Sequence, residues 1–285
     1  MDKIRKRSSY NNLKSYDDEL DIVRELLENA EQVEDELTKE FEGILRELCR
    51  LYEEWFPFYY PRNVLNKEEF QKLTYSLNYD IMNTEIQEVL DEIREKVEQL
   101  QVNRLMAWLI LDYELTAQKT AESIGVKYNN NLVSSTFKKE LILKPWVDDH
   151  KTFLDRIRDN TRDMDSKLRY VILEGIKNGW SIKKMSETFR TITGIAAYKA
   201  ARLVRTETMA VYSKATKEMF LENGIEYVEI IGDAACGGIC LDYVGEALPL
   251  SEAEIGDDLP PYHPNCACSF CAYTEFEDKN SSADY

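Results

Sequence analysis

Residues Ala196–Cys240, AAYKAARLVRTETMAVYSKATKEMFLENGIEYVEIIGDAACGGIC, contain the transition that decides the fold. Projected at about 100° per residue, Ala196, Ala200, Leu203, Val204, Ala210, Val211 and Leu221 share one stripe, which predicts a helix over 196–223. Asn223-Gly224 ends that periodicity. Beyond it Gly224, Gly232, Gly237, Gly238, Gly245 and Gly256 alternate with Pro249, Pro260, Pro261 and Pro264, a punctuation that predicts turns and short strands. The expected class is therefore α+β, with predominantly long α-helices and a small β-rich C-terminal module.

Upstream, Ile22, Leu26, Ala30, Val33, Leu37, Phe41, Ile44, Leu48, Leu51 and Trp55 recur at spacings of three and four, one continuous amphipathic stripe. Pro57 and Pro61 are expected to break this helix, and a second is expected from about Lys67 to Leu115. The aromatic cluster from Tyr52 to Tyr60 is expected to pack around the turn between them. Helices resume near Phe153; Asn178-Gly179 ends one, and Ser181 caps the next with Trp180 and Met185 placed as a hydrophobic staple. The expected division is a helical region over 1–145, a helical lead-in over 146–223, a β-rich module over 224–276 and a disordered tail over 277–285.

The chain has 285 residues, with 53 acids against 36 bases and a net charge of −17. Such a balance disfavours non-specific nucleic-acid binding by the chain as a whole. The excess is uneven: residues 1–14 carry a net of +4, and the stretch from Glu218 onward has 15 acids against Lys279 alone. No apolar run reaches the ~18 residues of a membrane helix, and the start lacks the apolar core of a signal peptide. Cytosolic synthesis and no membrane partner are the expectation.

Cys236, Cys240, Cys266, Cys268 and Cys271 cluster with His263, one of two histidines. Two ligands from CGGIC and two or three from HPNCAC can surround a tetrahedral zinc at about 2.0–2.3 Å. The candidate ligands are Cys236, Cys240, His263, Cys266 and Cys268, with the metal in a structural role. Disulfides or free thiols are one alternative. A catalytic metal is another, but His263 lacks the H-x-E context of zinc deaminases, and no general base accompanies the cluster. Glu207, on the apolar stripe of the 196–223 helix, must find a cation or several donors; the expected role is tying that helix to neighbouring segments.

These residues together resemble the C-terminal domain of the Mu F-like family of phage head morphogenesis, or minor head, proteins. The resemblance rests on Arg205, Thr206 and Glu207 in the helix, then Asp233, Cys236, Cys240 and Gly245, then Pro260, Pro261, His263, Pro264, Asn265, Cys266 and Cys268. It extends over roughly residues 150–275. The cysteine pair is C-x3-C where the family has C-x2-C, and Ala267 stands where arginine is usual. The resemblance implies a minor capsid protein inside the virion head, made in the bacterial cytoplasm. Its implied partners are the portal and the capsid or scaffold proteins, and its implied tasks lie in head assembly, DNA packaging or ejection. The basic N-terminal arm is a possible contact for packaged DNA. The alternatives are a metal-dependent hydrolase or nucleic-acid-modifying enzyme using the cysteine and histidine cluster, and an exported toxin-system component.

Overall fold

A computed structural model describes residues 13–59, 78–128, 135–232 and 238–273. Five helices, α1 (Leu13–Tyr59), α2 (Asn78–Ser123), α3 (Ser135–Leu143), α4 (Phe153–Lys177) and α5 (Ile182–Glu222), precede strands β1 (Tyr227–Ile231), β2 (Ala247–Pro249) and β3 (Ser269–Ala272). The class is α+β, as expected. None of the described helices is long and apolar enough to cross a membrane.

Local signals set the boundaries. Thr152 and Asp155 form a capping box at the start of α4, satisfying amides that the first turn leaves without partners. Gly179, at φ +61°, takes the left-handed position after that helix. Ser181 then accepts a hydrogen bond from the Lys184 amide at 3.2 Å. Three boundaries differ from the sequence expectation, the first being α2, which runs on to Ser123 instead of ending near Leu115. α1 runs past Pro57 to Tyr59, because a proline in the last turn removes one ladder bond from a helix many turns long. α5 is a single helix from Ile182 rather than two segments; the Thr193 hydroxyl donates to the Phe189 carbonyl at 2.9 Å and no proline intervenes. Pro61, Lys67, the aromatic side chains beyond Trp55 and the expected tail lie outside the described residues.

The chain forms two compact units: residues 1–29, 109–150 and 205–285, and residues 30–108 and 151–204. In the second, the α1 stripe is buried at Leu37, Phe41, Ile44 and Leu48. Tyr52 packs edge-on to Phe189, centroids 6.1 Å apart, and its hydroxyl donates to the Trp180 carbonyl at 3.0 Å.

The first unit carries the module and is built around α5, which is buried on every face from Thr206 to Thr216. That exceeds the single predicted stripe, as suits a helix enclosed by other elements; Leu221, placed in the stripe, is exposed instead. The sheet, ordered β2-β1-β3 and antiparallel, packs Val228, Ile230 and Phe270 against Phe220, Leu250 and Leu259. On another side of α5, Met209 and Tyr212 meet Ile22, Val23 and Leu26 of α1.

Buried polar groups run through this unit. The Glu19 carboxylate accepts from the Tyr212 hydroxyl at 2.6 Å and from Ser123 at 2.9 Å, and Tyr212 also hydrogen-bonds Ser269. Burial raises the Glu19 pKa to about 7 against these hydrogen bonds. Burial likewise raises that of Asp112 well above the usual carboxyl value. A carboxyl whose pKa is raised on folding contributes stability below its unfolded pKa and loses it as pH rises through the folded one. The shift from 4.5 to about 7 thus costs about 3 kcal/mol by neutral pH. Glu19→Gln is expected to be more stable than the parent protein at pH 8 and to flatten this part of the pH dependence, read from denaturant midpoints between pH 4.5 and 8.

Candidate metal centre

The site begins with two turns. His263-Pro264-Asn265-Cys266 closes through a hydrogen bond from the Cys266 amide to the His263 carbonyl at 3.1 Å. Asn265 has φ +62°; proline second and a left-handed Asn third are the marks of a type II turn. Tyr243-Val244-Gly245-Glu246 closes in the same way at 2.9 Å, with Gly245 at φ +81°. A Cβ at Gly245 would meet open space, so the glycine is needed for conformation.

The turns converge on sulfur. Cys240, on a 3-10 helix over Gly238–Asp242, is buried together with Cys266 and Cys268, and the three Sγ atoms lie within 4.8 Å of one another. Cys240 and Cys266 are 3.7 Å apart, close to the edge of about 3.8 Å that a sulfur tetrahedron with 2.3 Å metal bonds requires. The Nε2 of His263 is 3.0 Å from Cys240 Sγ. Its Nδ1 lies 2.9 Å from the Pro264 carbonyl; a carbonyl only accepts, so Nδ1 carries the proton and Nε2 presents its lone pair to the sulfur cluster. The Cys266 thiol is held well below its ordinary pKa, first by a hydrogen bond from Cys268 and then by backbone amides and Cys240, against the opposing effect of burial. Stabilised thiolate is the form that binds metal.

Three of the five expected ligands thus share one buried pocket, with His263 beside Cys240. Cys236 and Asp233 lie outside the described residues. Cys271 belongs to β3, paired with Glu229, and burial pushes its thiol up to about 12. No disulfide joins the described cysteines. Tyr262, against the cluster, stacks on Tyr243 with centroids 4.3 Å apart and shields the sulfurs on that side.

The helix motif positions the second turn. Thr206 Oγ1 accepts from the Asn265 amide at 3.2 Å, so helix and turn are joined beside the cysteines. Pro260 and Pro261, both buried, lead into that turn through a cis peptide bond. Arg205 is half-buried on α5. Glu207, buried, accepts from the Trp146 indole at 3.1 Å, which ties α5 to the segment after α3. Its charge also supports that of Lys214, whose pKa burial lowers to about 8. Lys214 in turn caps the end of α3, donating to the carbonyls of Leu141 at 3.0 Å and Lys144 at 2.7 Å.

Gly232 is a site residue that sequence reasoning passed over. A Cβ there would lie 3.0 Å from Cys268 Sγ and 2.9 Å from Val244 Cγ2, so side-chain-free backbone is what lets β1 end against the sulfur. Gly232→Ala is expected to cost about 1–3 kcal/mol through overpacking and to weaken metal retention about tenfold, checked by thermal melting and by zinc competition with a chromogenic chelator.

Residues 166–271 match the family described as phage Mu protein F like protein. The matched stretch includes Thr206, Asn265 and all three clustered cysteines, and it points to a role in phage head morphogenesis. No curated protein and no solved structure matches the chain.

Proposed function

We propose that this chain is a minor head protein that enters the phage prohead by binding the portal, stays inside the head and supports DNA packaging or ejection without catalysis. The observation that carries the reading is the union, within the matched stretch, of the Thr206 helix, the His263–Cys266 turn and the buried sulfur cluster. Zinc is the proposed structural ion. Cys240, Cys266 and Cys268 supply three thiolates and His263 the fourth donor, with Cys236 the remaining candidate for that place. Three soft sulfurs and one imidazole suit zinc and fill its four positions. A closed set leaves no position for the bound water that a hydrolase activates, which favours a staple over the enzyme alternative.

The test is co-expression with the neighbouring portal, capsid and scaffold proteins, followed by quantification of this chain in purified proheads. Incorporation that disappears when the portal is omitted is the expected result. Proheads that assemble with a portal yet exclude the chain overturn the reading. Hydrolytic activity abolished by His263→Ala in a still-folded protein puts the metal hydrolase in its place.

A further inference from the structure

Lys167 and Lys199 pair with Asp163, and Arg169 with Asp165 and Asp91, and beyond these pairs residues Ser166–Val204 hold five more bases against Glu174 and Glu187 inside a chain of −17. They form the second half of α4 and the first half of α5, within one unit. Lys183, Lys184 and Arg190 are exposed there. Between the two helices, Lys167, Tyr170, Val171, Lys184, Thr191 and Ile192 line a groove of about 380 Å³. Tyr170 is 68% exposed, and Ile195 and Tyr198, following Ile192 at helical spacing, are 45% and 62% exposed. The phosphate backbone of a duplex is gripped chiefly by basic side chains. Bases interleaved with solvent-facing tyrosines and an isoleucine beside a groove suit a protein surface that is both acidic and apolar.

The C-terminal part of the chain exposes residues of both kinds. From Glu218 onward it has 15 acids against one base; Glu222, Glu226, Asp242, Glu252 and Glu254 are exposed, and so are Leu221, Tyr227, Ile239 and Leu241. We propose that the basic α4–α5 hairpin of one copy docks on the acidic, apolar C-terminal module of a second copy. The contact is head to tail, so each copy keeps one free hairpin or module for the next. Net charge does not forbid it: with a screening length of about 8 Å at physiological salt, facing patches decide and distant like charges do not.

Sedimentation velocity of the full-length reduced protein with zinc tests this at about 0.15 M and 1 M salt. Association at the lower salt, shifting to monomer at the higher, is expected. Lys183→Glu with Lys184→Glu and Arg190→Glu should be monomeric at both, as should Glu252→Lys with Glu254→Lys; circular dichroism reports whether each is folded. An equimolar mixture of the two monomeric variants should associate again, because each supplies the patch that the other has reversed. Tyr170→Ser with Tyr198→Ser, which leaves the charges untouched, should also weaken association. A wild type that stays monomeric at both salts overturns the proposal, as does a hairpin reversal that leaves association unchanged. A monomeric wild type that binds duplex DNA through Lys183, Lys184 and Arg190 reassigns the surface to nucleic acid.

Discussion

Stripped of metal by a chelator, the reduced protein is expected to lose about one zinc per chain and, with it, the fixed geometry of residues 238–242 and 262–268. These segments hold few backbone hydrogen bonds of their own, and what brings them together is the cluster of Cys240, Cys266 and Cys268. Structural zinc contributes roughly 10 kcal/mol or more of folding free energy in small sites, more than such turns recover by other means. The sheet core around Phe220, Ile230 and Phe270 is independent of sulfur ligation, so melting should become biphasic rather than vanish. Cys240→Ser, Cys266→Ser and His263→Ala are each expected to lose the ion. Cys271→Ser should keep it, since that thiol lies in the strand pairing of β3 with β1. Comparing Cys236→Ser with His263→Ala by metal analysis identifies the fourth donor. Anaerobically prepared protein that contains no zinc and shows reactive thiols at Cys236, Cys240, Cys266 and Cys268 defeats the assignment.

Removal of residues 1–29 is expected to unfold the unit that carries the sulfur cluster, although those residues lie far from it in sequence. Ile22, Val23 and Leu26 are buried against Met209 and Tyr212. At about 1.5–3 kcal/mol each, their loss approaches the ~5–15 kcal/mol that holds a domain together. Tyr212 also loses Glu19, its hydrogen-bond acceptor. The division expected from the sequence, with a helical region over 1–145 set apart from the rest, implies that a fragment from Phe153 to Phe276 folds by itself with zinc and that deletion of residues 1–60 spares that fold. The structure differs, because α5 is covered by the start of α1 in the same unit. Both truncations should show no cooperative melting by circular dichroism with zinc present. A fragment that melts sharply restores the sequence-based division.

Long-range order of this kind explains what was legible in the sequence and what was not. Local chemistry is written in neighbouring residues, so the α1 stripe, the Ser181 cap, the end of α5 at Asn223-Gly224 and the HPNC turn were all readable from periodicity, capping and turn rules. The cysteines were readable as a cluster for the same reason: five of the six fall in one short stretch. Partnerships across the fold have no such local mark. That Asn265 would bond Thr206, Trp146 would meet Glu207 and Cys271 would stay apart from the other thiols depends on how α5, β3 and the segment after α3 pack. Gly232 looked like an ordinary loop glycine until Cys268 was placed 3.0 Å from where its Cβ would be. Side-chain chemistry, set by residue type, determined which atoms could bind a metal; tertiary packing decided which of them meet, because only burial brings thiolates from distant turns within one coordination radius.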